Sequence, residues 1–337
     1  MSDGLRATVL GAGSWGTALA MVLVEKGHDV QLWSYEEEVA ASINAGRGNP
    51  YLEGVDLPSS LRAVTDLTTA VASAELVLSV SPSQVVRQVM EVAGPAIPAD
   101  TLLVSASKGI ELGSLERMDE VIAAYVDPRV AARTCVLSGP SFAREVAVRA
   151  PTAVVVAGRT QDAAEAAQAA FQTGWFRVYT NLDVIGVELG GALKNVIALA
   201  AGVAAGLGHG HNTTAALITR GLAEMTRLGV AMGARQATFY GLAGMGDLVL
   251  TCTGSLSRNR TVGYRLGQGE SLDEILGDMV AVAEGVKTAS AVRELAARHG
   301  VEMPIAEQVY AIVEGGRSPE EALRALMLRD PKPEEWS

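Results

Sequence analysis

Cysteine is scarce in this chain of 337 residues, with Cys135 and Cys252 the only two. Neither belongs to a CxxC pair or a Cys/His cluster, so no disulfide framework and no zinc site are expected, and a reducing cytoplasm is the setting that fits. Positive charge is also in deficit. Lys and Arg number 27 against 38 Asp and Glu, a formal net charge of −11. That balance disfavours nucleic acid or an anionic membrane as the main partner, while leaving room for a local basic pocket around one small anion. Low-complexity sequence is missing too, and 49% hydrophobic with 19% charged residues is the composition of a folded chain. No apolar run is clean enough for a membrane span. Residues 7–24 resemble a signal peptide but are split by glycines. Residues 195–219 carry no Lys, Arg, Asp or Glu, yet their apolar part stops near Leu207, before His209, His211, Asn212, Thr213 and Thr214. A core helix is the better reading, with no membrane insertion.

What is present is a change of pattern partway along. At 337 residues two domains are expected. Up to about residue 181, apolar runs of strand length alternate with helix-like segments: Ala7–Leu10, Asp29–Trp33, Leu76–Val80, Leu102–Ala106, Thr134–Leu137, Ala153–Ala157 and Trp175–Tyr179. Several are apolar on both faces, as strands covered by helices on each side must be. This predicts an α/β fold with a doubly wound parallel sheet over residues 1–182. After Asn181 the alternation stops and helix follows helix, which predicts an all-helical second domain over residues 183–337. Asp183 is the expected cap of a helix reaching about Gly208, and Asn212 or Thr213 the start of the next, through Leu228.

Gly11-Ala12-Gly13-Ser14-Trp15-Gly16 follows the first strand and opens a helix. Gly11 permits the tight turn, Gly13 lets backbone approach a pyrophosphate, and Gly16 lets helix and strand pack closely, while free N–H groups at the helix start face the phosphates. A dinucleotide is therefore expected. The acid that reads the ribose belongs at the end of the second strand, where Ser34-Tyr35-Glu36-Glu37-Glu38 stands. Three successive carboxylates should repel a 2′-phosphate, so NAD(H) is expected over NADP(H), with Tyr35 against the adenine. The same carboxylates also suit a solvated helix start.

In the second half, Glu188-Leu189-Gly190-Gly191-Ala192-Leu193-Lys194-Asn195 puts Lys194 over the turn occupied by Gly190 and Gly191. Two interior glycines cost about 1 kcal/mol each relative to alanine. They would either leave room for a ligand beneath the ammonium or allow close helix packing. Further on, Gly254-Ser255-Leu256-Ser257-Arg258-Asn259-Arg260 offers a hydroxyl, a forked cation and an amide, the groups that hold a phosphate, although an exposed turn has the same composition. Ser105-Ala106-Ser107-Lys108-Gly109 lies at the C-terminal edge of the sheet, where ligands of such folds bind. His209 and His211 do not share a helix face, so no metal is expected.

Together these motifs resemble the bacterial NAD(P)-dependent glycerol-3-phosphate dehydrogenase family. The resemblance is carried by GAGSWGTALA at 11–20, SASKGIE at 105–111, LSGPSFAREVA at 137–147, ELGGALKNVIALAAG at 188–202, NTTAALITRGLAEM at 212–225, GLAGMGDLVLTCTGSLSRNR at 241–260 and AEGVKTA at 283–289. It implies reversible NAD(P)H-dependent reduction of dihydroxyacetone phosphate to sn-glycerol 3-phosphate, the backbone for phospholipid synthesis, by a cytoplasmic enzyme. It also implies Lys194 as proton donor, with Lys108, Gly139, Ser141, Asp247, Ser257, Arg258 and Asn259 toward the substrate. Ser14, Trp15, Tyr35, Lys108, Ala143, Arg258, Val282 and Glu284 fall on its cofactor positions. A homodimer is expected from the size and the apolar helical half. Two rivals stay open: a reductase of 2-keto or 3-hydroxy acids, whose carboxylate the 257–259 cluster would hold, and a redox sensor that needs no proton donor.

Overall fold

The computed structural model describes residues 4–279, 283–331 and 333–334. Its sheet has eight strands: β1 (Arg6–Leu10), β2 (Asp29–Trp33), β3 (Arg62–Val64), β4 (Leu76–Ser79), β5 (Leu102–Ser105), β6 (Cys135–Ser138), β7 (Thr152–Gly158) and β8 (Phe176–Asn181). Their order is β3-β2-β1-β4-β5-β6-β7-β8. The order reverses between β1 and β4, the arrangement of a doubly wound sheet that binds ligands beyond the carboxyl ends of its strands.

Two features depart from expectation. β3 was not foreseen, because three residues at the sheet edge are too few to show a strand pattern. β7 runs antiparallel to β6, so β7 and β8 form a parallel pair reversed relative to the rest. The connection between β6 and β7 carries only a five-residue helix, Ala143–Ala147. Such a helix rises about 7.5 Å, too little to return the chain along a strand for a parallel crossover.

The helices that build the site are α1 (Ser14–Lys26), α2 (Glu37–Asn44), α3 (Val184–Gly206), α4 (His211–Ala231), α5 (Asp247–Thr253), α6 (Arg258–Gly267), α7 (Glu284–Arg298) and α8 (Pro304–Val313). Among the described residues no strand follows Asn181. Asp183 caps α3 by accepting the Gly186 N–H at 2.9 Å, and it also accepts from Arg235 N and Thr238 Oγ1. α4 begins earlier than expected, at His211 after a Gly210 cap, and runs on to Ala231.

By length and composition α3 would cross a membrane, but 89% of its most apolar window lies inside the protein. It is the central helix of the second apolar core, which includes Leu193, Ile197, Leu248, Val262 and Val292. α6 lies directly on it: a Cβ on Gly202 would come within 2.1 Å of Arg260 O, and one on Gly263 within 2.1 Å of Leu199 O. Backbones this close fix the α6 N-terminus relative to Lys194.

Candidate active site

The glycine loop is a turn with a vacant face. Gly11 has φ +133°, in the region closed to most side chains, and donates to Trp33 O at 3.2 Å. A Cβ on Gly16 would fall 1.9 Å from Gly11 O, whereas one on Gly13 would meet nothing within 4 Å. So Gly16 serves helix–turn packing and Gly13 leaves an open approach. Gly13 caps α1 without a side-chain hydrogen bond, leaving the first N–H groups of the helix free for an anion. The Trp15 indole Nε1 beside them is buried without a partner. These residues fit the pyrophosphate of a dinucleotide.

Past β2 the three carboxylates differ. Tyr35 is 87% exposed and makes no hydrogen bond among the described residues. Glu37 and Glu38 sit exposed in the first turn of α2, where they complement the helix dipole. Glu36 alone is held, accepting the Tyr51 hydroxyl at 2.6 Å.

Across the cleft, the carboxyl ends of β5 and β6 meet the helical half. Lys108 Nζ donates to Asp247 Oδ2 at 2.7 Å and to Gly139 O at 3.2 Å. Lys194 Nζ donates to the other carboxylate oxygen, Asp247 Oδ1, at 2.6 Å and to Thr251 Oγ1 at 2.9 Å. One buried carboxylate thus joins two ammonium groups from two halves of the chain. Burial is the largest influence on Lys194 and pulls it down; Asp247 opposes this, Lys108 adds to it, and the amine settles at about 8. Burial alone would raise Asp247, but the charges of Lys108 and Lys194 hold it below the usual carboxylate range.

Gly190 and Gly191 do not leave room for a ligand. A Cβ on Gly190 would lie 2.6 Å from Ala243 O, and one on Gly191 2.8 Å from Ser138 Oγ and 3.4 Å from Lys108 Cγ. Of the two readings, close packing is the one the geometry supports. These glycines bring α3 onto the sheet edge and onto the turn at Leu242–Gly246.

Ser257 caps α6 by accepting from Arg260 N at 3.2 Å. The Arg258 guanidinium, at the first position of that helix, is exposed and makes no hydrogen bond or ion pair among the described residues. The Asn259 amide is engaged at both ends: it donates to Asn195 Oδ1 at 2.9 Å and accepts from Gly285 N at 2.9 Å, tying α6 to α3 and α7. Glu284, first residue of α7, accepts from Ser83 N at 3.0 Å and from Ser83 Oγ at 2.5 Å, clasping the helical half to the loop after β4. Ser141 donates to Gly139 O at 2.9 Å, and Ala143 starts the short helix after it. Val282 lies outside the described residues.

Thr251, Asn195 and Ser83 carry no expected role in the sequence, yet each touches a site group. Thr251 follows Asp247 by four on one helix, a spacing that places both on one face; Asn195 and Ser83 offer no comparable signal.

Comparison with known proteins gives one answer over nearly the whole length. Residues 6–164 match the family model for the NAD-dependent glycerol-3-phosphate dehydrogenase N-terminus, and residues 183–324 that for the C-terminus. The chain is 58% identical over 327 residues to a glycerol-3-phosphate dehydrogenase [NAD(P)+] of Geobacter metallireducens, covering 97% of this chain and 98% of that one. The crystal structure of glycerol-3-phosphate dehydrogenase from Coxiella burnetii superposes with a TM-score of 0.91 at 40% identity, covering 97% and 99%. A ketopantoate reductase from Ralstonia eutropha shares the fold alone, with a TM-score of 0.62 at 15% identity over 95% of this chain and 100% of that one.

Proposed function

Since the chain belongs to the NAD-dependent glycerol-3-phosphate dehydrogenase family, we propose that it reduces dihydroxyacetone phosphate reversibly to sn-glycerol 3-phosphate with NAD(P)H, supplying the backbone for phospholipids. The observation that carries this reading is the buried Lys194 amine, held at 2.6 Å by an Asp247 carboxylate that also binds Lys108 and pulled down by burial to about 8, in a site that also offers the Arg258 guanidinium without a hydrogen bond among the described residues. NAD(H) or NADP(H), when bound, supplies or accepts the hydride; Gly11, Gly13, Ser14, Trp15 and Gly16 would hold its pyrophosphate, and the family resemblance adds Tyr35, Lys108, Ala143, Arg258, Val282 and Glu284 as cofactor contacts.

Lys194 donates a proton to the C2 oxygen during reduction and, neutral, takes one back during oxidation. Asp247 fixes its direction and Thr251 accepts one of its hydrogens, so the amine has limited freedom. Lys108, anchored on Asp247 and Gly139, adds positive potential where negative charge develops on oxygen. The phosphate belongs at the α6 N-terminus: the Arg258 guanidinium makes no hydrogen bond, and the N–H groups of Arg258 and Asn259 have no partner, among the described residues. Ser257 shapes that terminus, and Asn259 acts through its backbone because its amide is engaged elsewhere. Holding a remote phosphate converts binding energy into orientation at C2.

The division into a dinucleotide half (1–182) and a substrate half (183–337), NAD(H) preference, a cytoplasmic location and a homodimer belong to the same proposal. Supporting the division, the location and the dimer in turn are the helical run that begins at Val184, unpaired buried thiols at Cys135 and Cys252, and exposed apolar side chains such as Val249, Leu256, Met327 and Leu328 on the helical half, while the carboxylates of Glu36, Glu37 and Glu38 support NAD(H). The decisive experiment follows NADH absorbance with the purified protein. Steady consumption with dihydroxyacetone phosphate and none with ketopantoate is expected. The opposite preference would favour a 2-keto acid reductase, and no steady turnover would favour a sensor.

A further inference from the structure

A chain of hydrogen bonds runs from the glycine loop to one carboxylate. Asn49, 3% exposed, donates to Ala12 O at 2.8 Å and to Thr17 Oγ1 at 2.7 Å, so it grips both the loop and α1. Its Oδ1 accepts the Tyr51 N–H at 2.8 Å. The Tyr51 ring packs against the core beneath α1, and its hydroxyl reaches Glu36 Oε1 at 2.6 Å. On the other side, Ser34 Oγ donates to Glu36 O at 2.9 Å and receives the Glu36 N–H at 3.2 Å, a local turn that orients the residue as it leaves β2.

Glu36 is an unusual cap for α2, since its side chain makes no capping bond and turns to Tyr51 instead. Its second oxygen has no hydrogen-bond partner among the described residues. Holding a solvent-exposed glutamate in one rotamer costs side-chain entropy, and a fixed carboxylate with a free oxygen at the end of β2 is where a dinucleotide ribose is read.

Resting on the reading of this half as a dinucleotide domain, we propose that Glu36 sets cofactor specificity by accepting the ribose 2′-hydroxyl, and that Tyr51 is the positioning residue that holds it there, while Glu37 and Glu38 only serve the helix start. The hydrogen bond to Glu36 raises the Tyr51 hydroxyl above its ordinary value, so it remains a donor. Because the tether ends on Ala12 O, the specificity group is registered to the pyrophosphate turn rather than to its own exposed loop.

The test is calorimetric binding of ADP-ribose and 2′-phospho-ADP-ribose, which needs neither hydride transfer nor substrate. The wild-type protein should prefer ADP-ribose. Glu36→Gln, which removes the charge that repels a 2′-phosphate, should shift the ratio of the two dissociation constants at least about tenfold toward the phosphorylated ligand. Tyr51→Phe should weaken ADP-ribose about fivefold and leave the phosphorylated ligand within twofold. Glu37→Gln should leave the ratio unchanged. Equal weakening of both ligands in the Glu36 and Tyr51 variants, or unchanged ratios, would overturn the assignment while leaving the dinucleotide reading intact. Failure of the wild-type protein to bind either ligand would overturn both.

Discussion

Replacing Asp247 by asparagine should move the alkaline limb of ketone reduction to lower pH. In the free protein Lys194 loses its proton near 8, because burial pulls it down more strongly than Asp247 holds it up. In the proposed role of proton donor the amine must be charged, so kcat/KM for reduction should be flat below pH 8 and fall tenfold per unit above it. The carboxylate lies 2.6 Å from Nζ, and an opposite charge at such range supports the charged amine by about one to three pH units. Asp247→Asn should therefore bring the limb to roughly pH 5–7. Lys108, on the other oxygen of the same carboxylate at 2.7 Å, pushes in the opposite sense. Lys108→Met should move the limb upward, even though overall activity falls. The assay is NADH consumption at subsaturating dihydroxyacetone phosphate across pH 5.5–10, where kcat/KM reports the free protein. A limb fixed near pH 8 in both variants would show that Lys194 is not the titrating group.

Arg258→Ala should cost at least roughly tenfold in kcat/KM for dihydroxyacetone phosphate and much less for unphosphorylated dihydroxyacetone, since a charged hydrogen bond is worth about 1.5–3 kcal/mol; equal losses would move the phosphate elsewhere. Gly190→Ala gains helix propensity but drives a methyl against Ala243 O, so urea unfolding should show a net loss of about 1–3 kcal/mol, and a neutral outcome would refute close packing there. Glu224 is 3% exposed, accepts the N–H groups of Ile305 and Ala306 at the start of α8, and is raised by burial to about 7. Folding therefore favours its neutral form, and the stability it contributes is full below the unfolded value of about 4.5 and lost as pH rises through 7, by up to roughly 3 kcal/mol. Glu224→Gln should flatten the change in unfolding free energy between pH 5 and 8, and an undiminished slope would assign it to other groups.

Local rules read from the sequence account for much of the molecule. The turn at Gly11, the open approach at Gly13, the Asp183 cap and the change from strands to helices after Asn181 all depend on residues near in the chain, through backbone sterics, capping and hydrophobic period. The motifs containing Lys108, Lys194, Asp247 and Arg258 were visible as well. Which of them touch was not, because Lys194 and Asp247 are 53 residues apart and Lys108 and Asp247 139 apart. Their meeting on one carboxylate depends on where α3 lands on the sheet edge, and that is set by Gly190, Gly191 and the backbones they admit. Tertiary burial also decided the state of the lysine: the charges of Lys108 and Asp247 were readable as opposing signs, but desolvation, the larger influence, exists only once α3 is enclosed. The reversal of β7 and the tethering of Glu36 alone among three adjacent glutamates have the same origin. Each is fixed by a partner distant along the chain, β6 in one case and Tyr51 in the other, and composition and periodicity do not encode such partners.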